Sequence, residues 1–315
     1  MNFTTKVPIL KYDTPIDYDS NIISIGSCFA ENMSDKFTYY KFQNIVNPFG
    51  IIFNPVSIEN SIKRIVSKQK FTNEDIFFHN DLWHCFEVHS RFSNPNKTVL
   101  LEILNQLIES TFNQISNASH FIITYGSSWV YRHSVSKSIV ANCHKLPQKE
   151  FKKEILAIET IEKSIQNTIS LIQKVNPNCQ FVFTVSPVRH LKDGFIENQR
   201  SKAHLITAIH NLHQVIKNTN YFPSYEITMD ELRDYRFYTE DMLHPSQTAI
   251  DYIWLRFFEN YFLEAIIPTM NKVCEIQKAL QHRAIHLNSA SHQIFLNALQ
   301  IKIDKIQNDF PSIKF

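Results

Sequence analysis

Ser27 stands inside Gly26-Ser27-Cys28-Phe29-Ala30, and Asp241-Met242-Leu243-His244 places a carboxylate three residues before an imidazole. A serine hydroxyl is a weak nucleophile alone and needs a base. A carboxylate that orients a histidine through Nδ1 leaves Nε2 free to take the serine proton, so these three side chains together would perform acyl transfer. Taken singly, each has a plainer reading. Serine is a favoured helix N-cap, a histidine just ahead of a helix can be structural, and the same D-x-x-H spacing recurs at Asp81 and His84 in a chain with 14 histidines. Cys28 is a second candidate nucleophile, because a helix N-terminus lowers a thiol pKa, although a thiol just past such a turn is more often packed.

The surrounding pattern decides where these residues sit. The apolar run 21–25 stops at Gly26, and Phe29, Met33, Phe37 and Tyr40 follow at helical spacing, which predicts a strand feeding a helix over 28–42 with Ser27 at the junction. A run over 44–49 stops at Gly50. Asn54-Pro55 then opens a helix with Ile58, Ile62, Ile65 and Val66 inward. Residues 76–89 alternate aromatic and polar side chains around His79-Asn80-Asp81, which predicts a hairpin, and 98–115 a helix. Residues 121–125 and 181–185 read as buried strands closed by Gly126 and Pro187, with a helix over 154–175 between them. A helix over 196–219, a strand over 221–228 and a helix over 246–262 complete the alternation. Residues 271–308 read as entirely helical.

Strands alternating with helices over about 250 residues predict an α/β three-layer sandwich with a central, mostly parallel sheet, a small hairpin insertion and a helical C-terminal arm. The expected division is one domain over 1–265 with an extension over 266–315. In such sheets ligands bind outside the carboxyl ends of the strands. Ser27 falls there, where a helix dipole favours developing negative charge. Arg189 and His190 follow the strand 181–185 to the same edge, either as a surface ion pair or in contact with substrate. Asp81 and His84 fall inside the hairpin, which makes them the poorer pair.

The bulk numbers exclude several classes. A net charge of +2 makes no broad electrostatic claim on nucleic acid, and 43% hydrophobic with 20% charged residues is ordinary for a soluble globular chain. At 315 residues the chain can bury a large core without disulfides or metals, so no cofactor is required. Residues 1–20 lack the continuous apolar core of a secretory signal, no run reaches transmembrane length, and five scattered cysteines without a C-x-x-C pair read as reduced thiols. The expectation is a cytoplasmic protein with no membrane insertion. His79, His84, Cys85, Cys143 and His144 match no common zinc spacing, so no metal site is expected.

The stretch Ser24-Ile25-Gly26-Ser27-Cys28-Phe29-Ala30-Glu31-Asn32 resembles the signature of the GSCFA family, which is related to the SGNH/GDSL-type esterases. Asn47-Pro48-Phe49-Gly50, Thr124-Tyr125-Gly126 with Trp129-Val130-Tyr131, Ser186-Pro187-Val188-Arg189-His190 and residues 241–246 resemble the same family. The resemblance implies a flavodoxin-like sheet, Ser27 as nucleophile, His244 as base, Asp241 as its orienter, and oxyanion donors from the Ser27 and Gly50 N–H groups. This chain departs from the esterase pattern in having Gly26 directly before Ser27 and Ser128 where a G-x-N asparagine would stand. Ser127, Ser128 or Asn142 is left to supply the third donor.

The resulting expectation is a serine-dependent esterase acting through an acyl-enzyme on an acylated carbohydrate or small metabolite. An acyltransferase of the same fold and a non-catalytic binding module stay open beside it, as does a role for the C-terminal arm in oligomerisation or docking.

Overall fold

The structure is a computed structural model that describes residues 5–213, 215–282 and 289–315. Its elements in chain order begin with β1 (Asn21–Gly26), α1 (Cys28–Tyr39), β2 (Gln43–Val46), α2 (Pro55–Val66), β3 (Ile76–His79), β4 (Leu82–Cys85) and α3 (Lys97–Asn117). They continue with β5 (His120–Tyr125), β6 (Trp129–His133), β7 (Ile139–Val140), β8 (Phe151–Ile155), α4 (Ile158–Val175) and β9 (Gln180–Val185). The chain closes through α5 (Phe195–His213), β10 (Thr219–Phe222), the single turn α6 (Ser224–Glu226), α7 (Gln247–Tyr261), α8 (Ile267–Leu280) and α9 (Ala290–Asp309).

Five strands form one parallel sheet in the order β10-β9-β5-β1-β2. Counted along the chain that is the 2-1-3-4-5 order of flavodoxin-like folds, whose switch point lies between the first and third strands. Here those are β1 and β5, and Ser27 follows β1 directly. The three-layer α/β expectation therefore holds.

Strand periodicity divides the core in two. Ile23, Ile25, Phe121, Ile123, Phe181 and Phe183 point to one face, where they pack with Ile62 of α2, Leu104 of α3, Ile165 of α4 and Leu205 of α5. Their neighbours Ile22, Ile122 and Val182 point to the other, against Phe29 and Phe37 of α1 and Ile253 and Phe257 of α7. The second face also takes in Met270, Val273 and Ile276 of α8 and Leu299, Ile303 and Ile306 of α9. The C-terminal arm thus shares a core with α1; Gln277 Nε2 donates to Tyr39 O at 2.9 Å, at the end of that helix. Residues 283–288, inside the stretch expected to be helical throughout, lie outside the described residues, and helices flank them on both sides. Among the described residues no helix is long and apolar enough to cross a membrane.

Three expectations need correction. The hairpin is β3-β4 with Asn80 and Asp81 at φ +44° and +62° as its two turn residues, so it is shorter than 76–89. A second small sheet, β7-β6-β8, was not anticipated, and it takes Glu154 and Ile155 out of the expected helix: Trp129 pairs with Ile155 and Val130 with Glu154, so α4 starts only at Ile158. Finally, α5 ends at His213, and the last strand runs over Thr219–Phe222 and stops at Pro223, which lacks the N–H a further strand bond would need. Beyond it Ser224 Oγ donates to Val185 O at 2.8 Å and the chain turns into α6.

Candidate active site

Two backbone demands fix the end of β1. Gly26 has φ +147°, and a Cβ built there would lie 2.1 Å from Thr124 O in the adjacent strand, so only glycine fits. Its N–H donates to Asn47 Oδ1 at 2.8 Å, which ties β1 to the loop after β2. Ser27 then caps α1: its Oγ accepts from Phe29 N at 3.3 Å, and its own N–H donates to Thr124 O at 3.1 Å. Ser27 is buried, at 2% exposure. Gly50 closes a turn in which its N–H donates to Asn47 O at 2.7 Å, and its φ of +81° with a 2.2 Å approach to His89 Cβ excludes a side chain. Both N–H groups expected to face an oxyanion thus have backbone acceptors in this state.

Asp241 and His244 are brought together. Asp241 Oδ2 accepts from His244 Nδ1 at 2.6 Å, while Oδ1 accepts from Thr239 Oγ1 at 2.7 Å, Leu243 N at 2.8 Å and His244 N at 3.0 Å. Those hydrogen bonds, led by the His244 backbone N–H, hold the Asp241 carboxyl well below the usual carboxylate range. The pair is exposed, at 43% and 44% of side-chain surface for His244 and Asp241. Arg189 N donates to Leu243 O at 3.0 Å, joining this loop to the segment after β9. Among the described residues Ser27 Oγ and His244 Nε2 make no hydrogen bond.

The remaining sequence candidates sort by direction. Ser128 is fully buried and turned toward α5: its N–H donates to Ser201 Oγ at 2.8 Å and its Oγ to Ser201 O at 3.2 Å. Ser127 Oγ lies 3.1 Å from Ser201 Oγ, and Asn142 Oδ1 accepts from His144 N at 2.8 Å within its own turn. Arg189 places its guanidinium 3.9 Å from the Tyr238 ring centroid, with Tyr235 beyond at 5.4 Å. Its partners are thus aromatic rather than the acid of a surface ion pair.

His190 packs on Phe53 with ring centroids 5.2 Å apart, and its Nε2 is buried without a partner among the described residues. Burial, then the neighbouring Lys202 and His244, push the His190 ring down to about 3, so it is neutral at physiological pH. Burial, with Glu31 adding to it, pushes the Cys28 thiol up, the opposite of what an activated thiol needs. His84 spends both ring nitrogens on Ser93 Oγ (2.6 Å) and His79 O (2.9 Å), so it forms no pair with Asp81. Among the described residues no group of three or more His, Cys, Asp or Glu side chains is arranged to hold a metal.

Two residues that sequence reasoning missed organise the edge. Asn47, fully buried at φ +43°, serves β1 through its side chain and Gly50 through its carbonyl. Lys202, on α5, is 1% exposed, and its Nζ donates to Gly126 O at 2.6 Å and Ser186 O at 2.7 Å, the carbonyls just beyond β5 and β9. The Asn47-Pro48 pair is a turn signal in the sequence; a lysine in a helix carries none. A surface depression beside α3, lined by residues from Lys70 to Asn113, shares no residue with this site.

Comparison with known proteins adds a family. No curated protein matches the chain. Among solved structures, a Clostridium thermocellum family 3 carbohydrate esterase is similar at 10% identity and a TM-score of 0.35, covering 81% of this chain and 98% of its own. The family model of the GSCFA family matches residues 21–257, and that of the GSCFA domain protein, C-terminal domain, matches residues 273–315. The first match takes in Ser27, Gly50, Asp241 and His244 and spans well over half of the sequence. This chain belongs to the GSCFA family.

Proposed function

We propose that the protein is a serine esterase that works through an acyl-enzyme, with Ser27 as nucleophile, His244 as general base and Asp241 as its orienter. The observation that carries this reading is the 2.6 Å bond from His244 Nδ1 to Asp241 Oδ2. It sets the tautomer that leaves Nε2 as the free base. The loop bearing that pair is bonded to the segment after β9, at the strand edge where Ser27 also lies.

In the reaction the Asp241 loop brings His244 Nε2 to Ser27 Oγ. Oγ exchanges its capping bond to Phe29 N for attack on the ester carbonyl, and His244 takes the proton and returns it to the leaving alkoxide. Water, or a second alcohol in an acyltransferase, then resolves the ester on Ser27. The Ser27 and Gly50 N–H groups serve the oxyanion by sharing or releasing their present acceptors, Thr124 O and Asn47 O. With Ser128 committed to Ser201, the neutral His190 ring offers Nε2 as the third donor. Arg189, over the Tyr238 ring, faces the substrate beside it, and an acylated carbohydrate or small metabolite is the substrate class.

A serine-directed fluorophosphonate tests this directly. Peptide mass analysis is expected to place the label on Ser27, with none after Ser27→Ala. An unlabelled wild-type protein, or equal labelling of the variant, overturns the esterase reading and favours a binding module.

A further inference from the structure

Lys202 occupies a position that an apolar side chain would fill at lower cost. Burying an ammonium among neutral partners is penalised, and well-packed apolar replacements of buried charges are often neutral or stabilising. Among the described residues Lys202 has no carboxylate partner; its Nζ is held by two backbone carbonyls alone. Those carbonyls are chosen ones. Gly126 O ends the strand whose Thr124 O holds the Ser27 N–H, and Ser186 O ends the neighbouring strand, four residues before His190.

The same face of α5 grips the rest of the edge. Asn198 Oδ1 accepts from His190 N at 2.9 Å, Glu197 O accepts from Trp129 Nε1 at 3.2 Å, and Ser201 holds Ser127 and Ser128. The groups around the ammonium are Cys28 from α1, His190 from the loop after β9, and the Tyr225 ring from α6, 5.7 Å from Nζ. A neutral amine has two hydrogens, enough for both carbonyls. The ammonium adds a third hydrogen and a full charge.

We infer that Lys202 is a positioning residue for the Ser27 site: it locks the ends of β5 and β9 beside the Ser27–Cys28 turn and sets a cation there that favours the negative charge of the tetrahedral oxyanion. This rests on the esterase reading. Burial pushes the lysine down to about 7, so the cation is present below that pH and lost above it.

The experiment compares wild type, Lys202→Met and Lys202→Arg in three measurements: p-nitrophenyl acetate kinetics from pH 5 to 9, fluorophosphonate labelling, and thermal unfolding over the same range. Wild-type kcat is expected to fall on the alkaline side through about pH 7. Lys202→Met should lose about 100-fold in kcat, the size of one oxyanion-stabilising interaction, with KM little changed and no alkaline limb. Lys202→Arg, charged throughout, should recover part of the loss and also lack that limb.

The unfolding arm needs no serine chemistry. A folded-state pKa below the unfolded value means that the unfolded chain binds the extra proton above about pH 7, so wild-type stability should rise with pH relative to Lys202→Met toward the ordinary lysine value. A folded Lys202→Met with wild-type kcat overturns the inference, as does a reduced kcat with the alkaline limb intact. If Ser27 takes no label, the esterase reading falls by itself; parallel pH–stability curves for wild type and Lys202→Met would then overturn the buried cation as well.

Discussion

Under the proposed mechanism Ser27→Ala is expected to lower kcat by about 10⁶-fold, and adding His244→Ala to lower it hardly further, because a nucleophile and its base act as one unit. KM should stay close to wild type, since neither side chain is asked to bind the ground state. Asp241→Asn should cost about 10⁴-fold, as an amide in place of the carboxylate favours the wrong imidazole tautomer. The geometry gives that comparison its meaning: Asp241 also holds Thr239, Leu243 N and His244 N, so the asparagine keeps an oxygen for the loop while losing the charge beside Nδ1. Steady-state rates on p-nitrophenyl acetate decide the matter. Multiplicative losses in the double variant, or a His244→Ala protein with wild-type kcat, would show that the two residues do not share a reaction.

Gly26→Ala should fail at an earlier level. Its Cβ would meet Thr124 O at 2.1 Å, backbone against backbone, where no side-chain rotation gives relief. Steric overpacking and a φ of +147° on a non-glycine residue each cost about 1–3 kcal/mol. At a few degrees of Tm per kcal/mol, the unfolding midpoint should drop by roughly 10 °C. The clash can be relieved only by parting β1 from β5, which moves Ser27, so Ser27 labelling should fall even at temperatures where the variant remains folded. Circular dichroism melts with labelling at 15 °C test both; a wild-type Tm would mean that the strands approach less closely than 2.1 Å implies.

How much of this was legible follows from what each residue depends on. The strands β1, β5 and β9 are continuous apolar runs stopped by a glycine or followed by a proline, and α1 carries its periodicity openly, so the sheet and the place of Ser27 could be read locally. Strand β8 could not, because Ile155 lies near the helical stripe of α4 and only its pairing with Trp129 takes it out of the helix. The Asp241–His244 pair was legible because four consecutive residues of one loop suffice to build it. The direction of Ser128 was not, since Ser201, 73 residues later, turns it away from the strand edge. Lys202 was invisible for the same reason: a lysine in an amphipathic helix reads as solvated face until the strand ends are placed beneath it.

The arrangement of the second core decides which end of α1 the C-terminal arm supports. The helix capped by Ser27 lies early in the sequence, yet it shares its core with residues of α8 and α9 and with Ile313. Residues 21–257 hold every strand of the central sheet, while the apolar side chains of α8 and α9 that share this core come after them. The end of α1 that leans on the arm is Tyr39, where Gln277 and Cys274 meet it, and not the end capped by Ser27.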